Sequence, residues 1–319
     1  MLNIVFSIPI HQKLEVVLDQ ICNIQHFNPN CGIVFHMSKG FDYKTSLITK
    51  EYFLQKVKQL GNVFINPESV RTGFADIIQA HISNFDYVSK VCDFHYFAIC
   101  ASNESFIRPN LYDHLKQVDC GYRLNSIEKA SEWKYGEPLF RDQDLLGYLK
   151  ANGYNLIDVT TPEGQYFRKD IMMEVVETIK HFYNYLNMKE AYPREEVYFS
   201  TVARNLFPNA KVGKIFTYSA YHYQFLWDVT RSEINRLIHF KGDIYSVKRV
   251  NRQLNDNIRV YLRDKFKYDG RLSDLLPNDI DVKDRYTNLR IDMSSVKKNI
   301  KELMDNWKKI PKYFTNKWK

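Results

Sequence analysis

Residues 3–38, "NIVFSIPIHQKLEVVLDQICNIQHFNPNCGIVFHMS", decide the fold. "NIVFSIPI" (3–10) and "CGIVFHMS" (31–38) are short runs with almost no polar interruption, and "QKLEVVLDQICNI" (12–24) between them has helical spacing. A strand that is apolar throughout is covered on both faces, and a strand–helix–strand unit joins parallel neighbours. The rhythm continues with "KEYFLQKVKQL" (50–60) as a helix, "NVFIN" (62–66) as a short strand, "GFADIIQAHISNFDYV" (73–88) as a helix and "FHYFAICAS" (94–102) as a strand. The expected fold class is α/β: a mostly parallel sheet flanked by helices, with a Rossmann-like nucleotide-binding half.

Ligands of such sheets bind beyond the carboxyl ends of the strands. That directs attention to His11 after the first strand, to His36, Ser38 and Lys39 after the second, and to Ser102, Asn103 and Glu104 after the fourth. No G-x-G-x-x-G follows the first strand and no G-x-x-x-x-G-K-[ST] occurs, so the dinucleotide fingerprint and the P-loop are both excluded. From about residue 111 the pattern loosens into helices separated by loops rich in Tyr, Trp and Gly. One domain over residues 1–295 is expected, with a nucleotide-binding half to about residue 125 and an acceptor half over 126–295, followed by a basic amphipathic tail over 296–319.

A chain of 319 residues that is 45% hydrophobic and 26% charged, with 22 Tyr and 21 Phe, is a folded protein with aromatic-lined surfaces. Five cysteines without a C-x-x-C pair argue against a disulfide framework and a zinc site. No apolar run approaches a membrane span and "MLNIVFSIPIHQKLEVV" lacks the marks of a signal peptide, so a cytoplasmic location is expected. The net charge of +8 calls for an anionic partner.

In "AYPREEVYFSTVARNLFP" (191–208), Glu195 and Glu196 follow Pro193 and precede a helical run. Acids at a helix start complement its dipole, which is their plain reading. Asp142-Gln143-Asp144, the one Asp-x-Asp, reads as the N-cap of the following "LLGYLK" helix and not as a metal turn.

Five stretches taken together resemble the core-2/I-branching family of glycosyltransferases, whose fold is the single nucleotide-binding domain called GT-A. They are "NVFINPESVRTGFADIIQAH" (62–81), "DFHYFAICASNESFIRPN" (93–110), "EGQYF" (163–167), "PREEVYFSTVARN" (193–205) and "GDIYSVKRV" (242–250). The chain departs from the family at Thr72-Gly73, where Trp-Gly is usual, and at Ser102-Asn103-Glu104, where Gly-x-Asp is frequent. Where a second phosphate-contacting Arg is expected upstream of Lys248, the chain has only "YSAYHYQFLWDVTR". The well-known eukaryotic members carry a membrane anchor and disulfides; this chain is more similar to a bacterial cytosolic relative.

The resemblance implies an inverting transferase that moves N-acetylglucosamine or a related sugar from a UDP-sugar to a hydroxyl of an acceptor glycan in surface polysaccharide or lipopolysaccharide assembly. It aligns Glu196 with the catalytic base, Glu195 being the alternative one residue away, and Lys248 with a phosphate-binding lysine. Arg249 and Arg252 extend that cation cluster, so that basic side chains take the part of a metal and no metal or other cofactor is required. His11, Ser38, Arg71, Asp76, Ser102, Asn103 and Glu104 complete the expected donor side, and Glu132, Trp133, Gln165, Tyr166 and Trp227 the acceptor face.

Two rival classes are a metal-dependent GT-A transferase or sugar-nucleotide-processing enzyme, and a nucleic-acid-binding protein. Nucleic acid is disfavoured because the charge surplus is concentrated in "VKKNIKELMDNWKKIPKYFTNKWK" (296–319), with eight Lys against Glu302 and Asp305, and not spread along a sheet or recognition helix. In that tail Ile300, Leu303, Met304 and Trp307 recur at helical spacing. It either packs on the domain or lies peripherally on the inner face of an anionic membrane, toward a lipid-linked acceptor.

Overall fold

The opening run becomes β1 (Leu2–Ile10), the centre of the main sheet. The structure, a computed structural model, describes residues 1–280 except 74–75, 125–126, 185–191, 220, 223–224, 227 and 241, without the side chains of 127–129, 221–222 and 225–226. The C-terminal tail and Trp227 therefore lie outside the described residues.

Successive helices return the chain to successive strands: α1 (Leu14–Phe27) to β2 (Cys31–Met37), α2 (Lys50–Gln59) to β3 (Val63–Ile65), and α3 (Ile77–Val91) to β4 (Phe94–Ile99). There follow β5 (Glu104–Phe106), α4 (Leu111–Leu115), β6 (Cys120–Gly121), α5 (Ile127–Glu132), α6 (Gly136–Leu139), α7 (Gln143–Ala151), β7 (Tyr166–Arg168) and α8 (Lys169–Phe182). A 3-10 turn, Arg194–Glu196, leads into α9 (Tyr198–Leu206) and β8 (Val212–Gly213). The remaining elements are β9 (Thr217–Ser219), the hairpin β10 (Tyr221–His222) and β11 (Phe225–Leu226), α10 (Arg231–Ile238), β12 (Ser246–Lys248), α11 (Asn257–Phe266) and α12 (Asp269–Leu275).

The main sheet has seven strands in the order β3-β2-β1-β4-β7-β6-β8. β3, β2, β1 and β4 are mutually parallel, β7 is reversed, and β6 and β8 run with the first four. Strands β1, β2 and β4 are buried along most of their length, as their unbroken apolar runs require. Phe6, Ile8 and Ile10 enter one core layer with residues of α1, α2, α11 and α12, whereas Val5, Val34 and Phe97 enter the other with residues of α3, α8 and α9. A three-stranded sheet, β5-β12-β9, adjoins them.

Local chemistry fixes the helix starts. Asp142 caps α7 by accepting from the N–H groups of Asp144 and Leu145, the role read for it in the sequence. Thr230 and Glu233 form a capping box at α10, and Thr49 and Asp256 cap α2 and α11. Among the described residues no helix is long and apolar enough to cross a membrane.

One buried ionic cluster ties the first helix to the last part of the domain. Asp19, Arg259 and Arg263 are each 1% exposed. The Asp19 carboxylate accepts from Arg259 Nη1 at 2.9 Å and Arg263 Nη1 at 3.2 Å, while Arg259 Nε donates to the Asn251 carbonyl and Arg263 Nη2 to that of Leu254. Removing one partner of such a cluster leaves uncompensated buried charge and costs about 3–5 kcal/mol. Asp19→Ala is therefore expected to lose stability on that scale, seen as a lowered urea midpoint at pH 7; a midpoint within error of the parent would refute the role given to the cluster.

Candidate active site

β1 and β4 are parallel neighbours, yet the chain leaves β1 toward β2 and comes back to β4 from β3. Loops that depart in opposite directions open a crevice at the carboxyl ends of the two strands. A cavity of about 240 Å³ occupies that position. Pro9 and His11 reach it from β1, Ala101, Ser102 and Asn103 from the turn after β4, Ile77 and His81 from α3, and Glu195 from the 3-10 turn.

Its cationic wall comes from the end of β12. Lys248 sits between Glu104 of β5 and Ser219 of β9, and its ammonium group is ion-paired with Glu163, which also lines the cavity. Arg249 adopts φ of +73°, a left-handed conformation uncommon outside glycine, and its N–H and that of Val250 both donate to the Asn103 carbonyl. Arg249 Nε is buried without a hydrogen-bond partner among the described residues. Arg252 is exposed at the rim, with Nη1 3.5 Å from the carbonyl oxygen of His11. The structure thus brings together His11, Ser102, Asn103, Lys248, Arg249 and Arg252.

The acidic wall is built by the 3-10 turn. Arg194 is buried against Asp142, whose Oδ2 also accepts from Tyr192 at 2.6 Å and Tyr198 at 2.8 Å. Gln165 Nε2 donates to the Glu195 carbonyl, and Thr160 N–H to that of Glu196. Glu195 is 3% exposed and its Oε2 has no partner among the described residues. Burial first, then the charges of Glu196 and Glu163, push its carboxyl up to about 8. Glu196 is less enclosed; burial and Glu163 raise it to about 7, against the opposing pull of Lys248 and Lys134.

Several expected ligand-facing residues have other places. Glu104 is 1% exposed and turned inward: Oε1 accepts from Thr217 and Ser246, and Oε2 from the Ala101 N–H, so it brackets β5, β9 and β12 beneath Lys248. Tyr166 is fully buried in the core; its ring fills the space left by Gly121 and its hydroxyl that left by Gly213, where an added Cβ would lie 2.0 Å and 2.4 Å away. Gln165 is equally buried and holds backbone, so neither side chain forms an acceptor face.

Ser38 is buried and accepts from both the N–H and the hydroxyl of Thr72, which in turn meets His11 Nε2 at 2.7 Å. It stands one contact behind the cavity. Arg71 is exposed on the loop before α3, and Asp76 sits at the start of α3 without capping it, its Oδ1 buried and unpartnered among the described residues. Neither lines the cavity. Trp133 packs edge-on against Tyr135 and Tyr192, and Glu132 is exposed at the end of α5.

Two cavity residues with strongly polar side chains, Glu163 and His81, were not among the sequence-derived site candidates. Glu163 opens the "EGQYF" segment, but its partner Lys248 lies 85 positions away. His81 falls on the buried face of an amphipathic helix, where a histidine reads as core. Among the described residues no group of three His, Cys, Asp or Glu is placed to hold a metal ion.

No protein-family model and no curated protein matches the chain. Among solved structures it is similar to the galactosyltransferase LgtC in complex with donor and acceptor sugar analogs, with 11% identity over 85% of this chain and 96% of that one at a TM-score of 0.43. An active-site mutant of LgtC gives 10% identity over 85% and 96% of the two chains at a TM-score of 0.42. The apo form of the glycosyltransferase GlyE from Streptococcus pneumoniae TIGR4 gives 10% identity over 86% of this chain and 63% of that one at a TM-score of 0.41.

A carboxyl whose pKa is raised by folding keeps its proton in the native state at pH values where the unfolded chain has lost it, so stability falls as pH rises from the unfolded value toward the folded one. Glu195→Gln retains the shape and removes the ionisation. Thermal melts should show it no more stable than the parent at pH 4 and increasingly more stable from pH 5 to pH 8.5, the window set by a folded pKa of about 8. Parallel profiles would mean that Glu195 is not held protonated.

Proposed function

We propose that this chain is an inverting glycosyltransferase of GT-A type, moving N-acetylglucosamine or a related sugar from a UDP-sugar to a hydroxyl of an acceptor glycan. The observation that carries the reading is the convergence of Lys248, Arg249 and Arg252 with Glu195 around one cavity at the β1–β4 switch point, with Glu196 the next residue of the same 3-10 turn and within electrostatic reach of Lys248 and Glu163. Displacing a nucleoside diphosphate needs positive charge on the leaving group and a base on the incoming hydroxyl, and the two walls supply one each.

In this mechanism the acceptor oxygen attacks the anomeric carbon as the bond from that carbon to the diphosphate oxygen breaks. The hydroxyl proton passes to Glu196, and the charge released on the diphosphate is met by Lys248, Arg249 and Arg252. Glu196 is preferred as base because it is the more open of the two acids and its pKa of about 7 leaves a substantial ionised fraction at neutral pH. Glu195, at about 8, is mostly protonated there. Attack by a hydroxyl that a single base activates on the face opposite the leaving group would give inversion. Lys248 first exchanges the Glu163 carboxylate for phosphate, which places Glu163 near the reacting groups as a third carboxyl.

Glu196→Gln should abolish sugar transfer while leaving binding of uridine diphosphate within about twofold, because the proton acceptor goes and the volume stays; retained turnover, with loss in Glu195→Gln, transfers the base to Glu195. Lys248→Ala, measured by calorimetry in EDTA, should weaken uridine diphosphate by about tenfold or more, the scale of a charge-assisted contact, and leave uridine unchanged. Equal losses for both ligands would remove Lys248 from the phosphate site.

A further inference from the structure

The cavity wall formed by α3 carries a chain of polar contacts, two of whose amide orientations are fixed by backbone groups. His81 is 2% exposed, and its Nδ1 lies 2.8 Å from Ser7 Oγ. Ser7 Oγ accepts from Asn84 Nδ2 at 3.0 Å, and the same amide nitrogen donates to the Val34 carbonyl. Asn84 Oδ1 accepts from Asn66 Nδ2, and Asn66 Oδ1 accepts from the Glu68 N–H. A backbone N–H can only donate and a backbone carbonyl can only accept, so the groups on Glu68 and Val34 fix both amide orientations. Asn84 fills one of the two lone pairs of Ser7 Oγ, and among the described residues the one partner left for the Ser7 hydroxyl hydrogen is His81 Nδ1, which we take as its acceptor.

An imidazole that accepts at Nδ1 carries its hydrogen on Nε2. That nitrogen has no hydrogen bond among the described residues, and the residue borders the cavity. Burial, with smaller contributions from His36 and His11, holds the His81 pKa down at about 3, so the ring stays neutral across the physiological range. The other groups acting on it are those two histidines, both themselves held down by burial, while Lys248, Arg249 and Arg252 enter the same cavity from the end of β12. A neutral N–H suits a hydroxyl or carbonyl oxygen, while a phosphate has the cations at the end of β12 to meet it.

We propose that His81 is a specificity-determining residue of this cleft, donating its Nε2–H to a hydroxyl or carbonyl oxygen on the uncharged part of a bound sugar nucleotide. The proposal rests on the glycosyl-transfer reading. Ser7 and Asn84 are positioning residues that act through the tautomer and touch no ligand.

The test begins with the free full-length protein, uniformly labelled with nitrogen-15, in which the long-range proton–nitrogen spectrum of histidine reports the tautomer. His81 should show Nε2–H and no titration from pH 8 to pH 5; an Nδ1–H tautomer, or titration near pH 6.5, overturns the assignment. UDP-N-acetylglucosamine and UDP-glucose are then added in turn, with inorganic pyrophosphate as the control. At least one sugar nucleotide should shift the Nε2–H resonance, and pyrophosphate should not.

His81→Ala should weaken that sugar nucleotide about tenfold and leave pyrophosphate unchanged, while His81→Gln, which restores an N–H donor, should recover most of the loss. Equal weakening of pyrophosphate, or no recovery in the Gln variant with its fold intact by circular dichroism, overturns the proposal. If sugar nucleotides bind with the resonance unmoved, the His81 assignment alone falls. If none binds the parent protein, the glycosyl-transfer reading falls and the proposed donor role with it.

Discussion

Parallel neighbours cannot be joined by a hairpin, and when their connections leave toward opposite edges of a sheet nothing local fills the gap between them. β1 and β4 stand in that relation, and the rest of the protein is arranged around the gap. The strand ends themselves bring His11, Ser102 and Asn103. The ionic side chains come from elsewhere: the cations from β12 in the smaller sheet, Glu163 from the approach to β7, and Glu195 from the turn before α9. The later part of the chain thus supplies charge to a crevice that the earlier part opens.

Three buried carboxyl groups stand behind these contributions, each beneath a different piece of the cleft. Asp19 holds the two arginines that grip the backbone at Asn251 and Leu254, next to Arg249 and Arg252. Glu104 gathers Thr217, Ser246 and the Ala101 N–H under Lys248. Asp142 receives Tyr192, Tyr198 and Arg194 behind Glu195 and Glu196. A buried acid is tolerated when its lone pairs are filled, and losing one donor costs more than the same contact would at the surface. Such groups hold the backbone of a loop in one place, which a general base and a phosphate-binding cation both require.

The parallel sheet was legible because its evidence is local. "NIVFSIPI" and "CGIVFHMS" are buried on both faces and show it in their composition, and Asp142 shows its capping role by its place before "LLGYLK". The strand ends were legible too: His11, Ser102 and Asn103 line the cavity at the carboxyl ends of β1 and β4. What was hidden depends on pairing between distant segments. Glu104 looked like a turn residue because β5 is three residues long and its pairing with β12 has no local mark. Tyr166 looked like a sugar platform because the glycines that accommodate its ring, Gly121 and Gly213, lie on two other strands. Nothing near Arg259 and Arg263 in the chain announces Asp19, which lies 240 and 244 positions away.

The pairing of Lys248 with Glu163 sets how the cleft responds to ionic strength. An open basic patch is accompanied by mobile anions, and a ligand that displaces them gains the entropy of their release, a gain that shrinks as salt is added. On the proposed reading, the anion displaced from Lys248 would be a carboxylate fixed to the same chain. It would not be diluted on leaving, and its local concentration does not follow that of the solution. The contribution of Lys248 to anion affinity would accordingly be buffered against changes in salt, with Glu163 as a tethered counter-ion.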